Sequence, residues 1–170
     1  MEKRSKLLII LLLVFILITG CKKNNDSVIK TEFEKLNNEY REVSLENDNV
    51  FIISSDEEID SLIEKKDSFV ILYGNYKDNY TRSIISIINE QSKYLGLKKI
   101  YYISKESDIP VLKGYINGLL SGSTNGISGL QVDDKMKLSD EMIKESKEKI
   151  RNVIEPVSTE LNSCDINNGC

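Results

Sequence analysis

The chemistry open to this 170-residue chain is bounded by three cysteines, one closely spaced carboxylate and hydroxyl, and the absence of histidine. Without imidazole, Ser-His and Cys-His nucleophilic catalysis are excluded, and metal sites lose their commonest nitrogen ligand. No cofactor, no metal and no catalytic residue is expected. Asp78 and Thr81 stand three residues apart, on the first turn of a helix if one begins there. Such a pair can act as a general base with an activated hydroxyl, or as an N-cap and a first-turn residue. A carboxylate at a helix N-terminus is stabilised in its charged form and is a weak base, so the residues favour capping. Cys164 and Cys170 lie in a Ser-, Asn- and Gly-rich tail. They form either a structural disulfide or a redox-active pair, and the bridge is favoured because no helix N-terminus or cation adjoins either sulfur.

The elements that must position these groups read as an α/β domain. Residues 69–73, Phe-Val-Ile-Leu-Tyr, form an apolar run suited to a strand covered on both faces. After a break at Gly74, Tyr80, Ile84, Ile87, Ile88, Gln91 and Leu95 recur at helical steps, so a helix is predicted from Asp78 to near Gly96. Residues 98–103 give another strand, and strand, helix, strand at this spacing reads as a right-handed parallel crossover. Upstream, Val28 to Leu36 has a weak helical period and Tyr40 to Leu45 alternates like a half-buried strand. The apolar residues 50–53 are an edge strand or a lead-in to a helix that Ser55 and Glu58 start as a capping box. Downstream, Pro110 is expected in the first turn of a helix carrying Val111, Leu112, Tyr115, Ile116, Leu119 and Leu120. Residues 121–126 then read as a loop or turn, and 127–132 as a strand. Ser139 caps a last helix that Pro156 is expected to stop.

The front of the chain has its own pattern. Lys3, Arg4 and Lys6 precede an apolar run from Leu7 to Ile18, too short for a membrane-spanning helix of about twenty residues. A basic start, a short apolar core and small residues in that order form a signal-peptide pattern. Ile18-Thr19-Gly20-Cys21 resembles the lipobox of bacterial lipoproteins. The resemblance implies a diacylglyceryl thioether on Cys21, further acylation of the palmitate kind, and a membrane-anchored domain on the extracytoplasmic side. Two or more acyl chains anchor stably where one binds only marginally. On this reading residues 1–20 are a signal peptide, 21–30 the lipidated cysteine and its polar tether, 31–157 one domain, and 158–170 a tail with the cysteine pair. Loss of Glu2, Lys3, Arg4 and Lys6 with residues 1–20 leaves 20 basic and 26 acidic side chains, a net charge of −6. Nucleic acid is excluded as a partner, because phosphate binding needs clustered Lys and Arg.

The order of apolar strand, aromatic-Gly, short loop, long helix and Lys-Ile-Tyr-Tyr strand resembles the thioredoxin-like domains of membrane lipoproteins from Gram-positive bacteria. It covers approximately Phe33 to Ile154. Those domains carry Cys-x-x-Cys at the helix N-terminus, usually followed by Arg or Lys. Aligning Tyr73-Gly74 and Arg82 with that pattern sets Asp78 and Thr81 at the cysteine positions, with Asn79 and Tyr80 between them. The family's cis-proline before a later strand is likewise replaced, with Ser128 in its place. The resemblance implies a degenerate site on a thioredoxin-like sheet. Its aromatic surface around Tyr76 and Tyr80 is a candidate for binding a protein or peptide. The alternative is a thiol-disulfide oxidoreductase that uses Cys164 and Cys170.

Overall fold

The computed structural model describes residues 34–43, 45–105, 109–125 and 138–166. The chain divides into two compact units between Glu32 and Phe33, and all the described residues belong to the second. That unit is an α/β domain with a five-stranded mixed sheet. Its elements are a helix α1 (residues 34–39), a 3-10 turn Arg41–Val43, β1 (Phe51–Ile53), α2 (Asp56–Glu64), β2 (Phe69–Gly74) and α3 (Asn79–Tyr94). They continue with β3 (Ile100–Ser104), β4 (Val111–Ile116), β5 (Leu119–Asn125) and α4 (Asp140–Ile166). The strand order is β1-β3-β2-β4-β5. β1, β3 and β2 run parallel, while β4 and β5 are antiparallel additions on the far side of β2.

β2 is apolar throughout because both faces are covered. On one face Val70, Leu72, Ile100, Tyr102 and Leu112 pack with Ile84, Ile85 and Ile88 of α3 and Ile150, Val153, Ile154 and Val157 of α4. On the other face Phe69, Ile71, Tyr101 and Ile103 meet Ile59 of α2. Ser55 caps α2 as expected, its Oγ accepting the Glu58 N–H at 3.3 Å. The Glu58 carboxylate accepts from the Ser54 hydroxyl at 2.7 Å. Residues 51–53 are indeed an edge strand, and Ser139 Oγ accepts the Met142 N–H at the start of α4.

Three expectations are corrected. Residues 40–45 are not a strand: the Tyr40 carbonyl accepts from Val43 and Leu45, curling the backbone so that the Tyr40 ring is fully buried. Residues 111–120 are not a helix but a hairpin, in which residues 121–125 extend the second strand. The apolar pairs at 111–112, 115–116 and 119–120 imitate helical spacing. Asn117 (φ 52°) and Gly118 (φ 74°) are both left-handed, which is the type I′ turn that matches the twist of a two-residue hairpin. Tyr73↔Val111 through Phe69↔Tyr115 then zip β4 against β2. Finally, α4 runs past Pro156 to Ile166. Val157 is fully buried and Leu161 packs on the core, so the apolar stripe beyond the proline outweighs its cost of about 3 kcal/mol. The Ser158 hydroxyl also donates to the Leu95 carbonyl.

Glycine sets how closely α4 lies on the sheet. Gly114 and Gly122 are cross-strand partners. A Cβ on Gly114 would stand 2.8 Å from the Val153 carbonyl oxygen and 2.9 Å from Val157 Cγ2. The helix backbone thus rests directly on the strands, where any side chain would hold it off.

Candidate functional site

β2 ends at Gly74, and the chain turns through Asn75, Tyr76 and Lys77 before α3 begins. The Asp78 N–H donates to the Asn75 carbonyl at 2.9 Å, and the Lys77 N–H donates to Asn75 Oδ1 at 3.0 Å, so the turn holds itself. Asp78 is the N-cap of α3, with extended backbone (φ −84°, ψ 131°). One oxygen, Oδ2, accepts both the Thr81 N–H at 2.7 Å and the Thr81 hydroxyl at 2.8 Å. Thr81 Oγ1 in turn accepts the Asn75 N–H at 3.2 Å. The two residues singled out from their spacing are therefore in contact, and their bonds close the corner between β2 and α3.

That arrangement is a cap and not a poised nucleophile. Thr81 is fully buried, and a Cβ on Gly74 would come within 2.8 Å of its Cγ2. The hydroxyl is buried, its one proton is donated to Asp78, and it accepts from the Asn75 N–H. Substituting Asp78→Ala removes an N-cap worth about 0.5–2 kcal/mol and leaves the buried Thr81 hydroxyl without its acceptor, at about 1–3 kcal/mol more. Chemical denaturation of Asp78→Ala should show a loss of about 2–3 kcal/mol, and Asp78→Asn a smaller one. A loss below about 0.5 kcal/mol would contradict the capping role.

Above the cap, Arg82 Nη1 donates to the Glu39 carbonyl at 2.7 Å and to the Tyr76 carbonyl at 3.3 Å, tying α1 to the turn. Tyr76 is half-buried against the core, with Lys35 Nζ and Lys77 Nζ at 5.5 and 5.7 Å from its ring centroid. Tyr80, on the first turn of α3, is also half-buried. Beneath the corner lies a feature the sequence reading missed. Tyr40 and Tyr102, 0% and 1% exposed, share a hydrogen bond between their hydroxyls at 3.1 Å, and their rings meet edge to face. Burial raises the Tyr40 phenol far above its ordinary range, with Tyr102 adding to it. Burial likewise pushes Tyr102 up to about 12.

A proline also adjoins the corner. Pro110 immediately precedes β4, whose first residue, Val111, pairs with Tyr73 at the end of β2. It lines a small apolar cleft with Ile84 and Ile88 of α3. No cis peptide bond occurs among the described residues. Ser128, which the sequence reading set in the place of the family's proline, lies outside the described residues. Cys21 and Cys170 do too, and of Cys164 only the backbone, in α4, is described. The Asn117-Gly118 pair was the available signal for this hairpin, and recognising it would have set Pro110 at the head of β4.

Among the described residues no cluster of three acidic or cysteine side chains is arranged to hold a metal ion, and no helix is long and apolar enough to cross a membrane. No protein-family model matches the chain, and no curated protein matches it.

Proposed function

We propose that the chain is a membrane-anchored extracytoplasmic lipoprotein whose thioredoxin-like domain is redox-inactive and binds a protein or peptide. The observation that carries this reading is the corner itself. At the end of a buried strand and the N-terminus of a long helix, where a thioredoxin-like domain holds its thiols, Asp78 and Thr81 satisfy each other. Pro110 heads the adjacent strand as the family's proline does, but with a trans peptide bond where the family's is cis. The half-buried Tyr76 and Tyr80 supply aromatic anchors beside the capped position, and such side chains dominate binding energy when a partner buries them. The lipobox-like Ile18-Thr19-Gly20-Cys21 supports the anchor.

Capture by the full-length, membrane-displayed protein tests the binding reading. A specific partner retained by the unmodified chain should be lost at least tenfold on Tyr76→Ala plus Tyr80→Ala. Unaltered capture by that double variant would remove this face from the proposal. Intact-mass measurement tests the anchor: removal of residues 1–20 with a diacylglyceryl addition on Cys21 is expected, and an unmodified, uncleaved chain would overturn it.

A further inference from the structure

The aromatic face of the corner is dressed in positive charge. Lys35 Nζ of α1 and Lys77 Nζ of the turn stand 5.5 and 5.7 Å from the Tyr76 ring centroid, within reach of cation–π attraction. α1 is held in that place by the bond from Arg82 to the Glu39 carbonyl. Both lysines are exposed, and neither has a carboxylate within ion-pair distance among the described residues. Lys93, Lys105, Lys147, Lys149 and Arg151, by contrast, each hold one. The carboxylate next along the chain, Asp78, is committed to the cap, where its Oδ2 accepts both bonds from Thr81. Two ammonium groups without counter-charge therefore stand beside whatever covers Tyr76.

Building on the binding face proposed above, we infer that its partner is an acidic peptide segment, whose Asp or Glu carboxylates pair with Lys35 and Lys77 as Tyr76 is buried. Desolvation selects the occupant. A neutral or basic segment laid over the ring either buries ammonium groups without counter-charge or pushes them off the ring and forfeits the cation–π contacts. A carboxylate set against each lysine keeps those contacts and adds a charge-assisted hydrogen bond. The rest of the chain sharpens the choice. Its net charge of −4 repels an acidic segment in general, so such a partner is retained where cations stand without carboxylates. Charges at the rim of a binding face act mainly on encounter and on the rejection of wrong partners, which is the role assigned to these two lysines.

A random dodecapeptide library displayed on phage, panned against the full-length protein in non-ionic detergent micelles, supplies the probe. Peptides retained by the unmodified chain and lost on Tyr76→Ala plus Tyr80→Ala are expected to be enriched in Asp and Glu over the library. Their affinity should fall about tenfold on Lys35→Gln plus Lys77→Gln. Lys35→Glu plus Lys77→Glu should instead select peptides rich in Lys and Arg. Both lysines are exposed, so these variants are expected to keep the fold, which circular dichroism checks. Peptides that depend on the two tyrosines but carry no acidic excess, or that bind the Gln variant undiminished, would overturn the inference and leave the binding face standing. If no retained peptide depends on the tyrosines, the binding face falls, and the acidic partner with it.

Discussion

Gly118→Ala is expected to destabilise the domain by about 3 kcal/mol. Two terms add. Gly118 has φ 74°, and an L-residue held in the left-handed region costs about 1–2 kcal/mol. A Cβ there would also stand 2.5 Å from the Ile63 carbonyl oxygen and 3.1 Å from Lys66 Cα. Both are backbone atoms, so no rotamer change relieves the contact, and overpacking of this kind costs about 1–3 kcal/mol. The turn cannot simply lift away. The Gly118 N–H donates to the Asp67 carbonyl at 2.9 Å, and the Asn117 N–H donates to Ser68 Oγ at 3.1 Å, so moving the tip breaks its attachment to the loop between α2 and β2. Against a total stability of roughly 5–15 kcal/mol for a domain, such a loss is large. Asn117→Gly, at φ 52°, should be close to neutral, because glycine accepts that conformation freely. Urea denaturation of the two variants checks the contrast; equal effects would contradict both the left-handed strain and the overlap with the Ile63 and Lys66 backbone.

The second large effect is alkaline. Tyr102 ionises at an ordinary value of 10.0 when unfolded and at about 12 in the folded domain, because burial penalises the phenolate. The unfolded chain therefore loses this proton first. The contribution is fully present below about pH 10 and is lost as pH rises toward 12, with a slope of up to about 1.4 kcal/mol per pH unit and a total on the order of 3 kcal/mol. Tyr40, raised in the same sense by its own burial and by Tyr102, steepens the fall. Urea midpoints measured from about pH 9 to 11 should drop sharply for the unmodified protein. They should drop much less for Tyr40→Phe plus Tyr102→Phe, which removes both hydroxyls and leaves neither partner unsatisfied. Parallel pH profiles for the two proteins would show that the pair does not control the alkaline limb.

Where interactions are local, the sequence was sufficient. The cap at Asp78 depends on a side chain and an N–H three residues on, and the strand at residues 69–73 depends on an unbroken apolar run. Both were legible, as were the Ser55 and Ser139 caps. Reading failed where a distant partner decided the outcome. Tyr40 to Leu45 alternates as a strand would, but Tyr40 is drawn under the corner by Tyr102, sixty-two positions away. Asn89, on the buried side of α3, illustrates the same dependence, since its Oδ1 accepts the Val50 N–H just before β1. Pro156 stops an isolated helix, yet buried residues on both sides of it carry α4 through.

The sequence by itself determined the α/β class, the β2-α3-β3 crossover, the absence of imidazole chemistry and the occupation of the helix N-terminus by Asp78, because each rests on composition or on contacts within one turn. Only the tertiary structure decided that Thr81 is sealed beneath that cap, that two phenols lie under it, and that Pro110 heads a strand beside it. Those facts depend on which segments meet across the sheet, and that is set by packing between residues far apart in the chain.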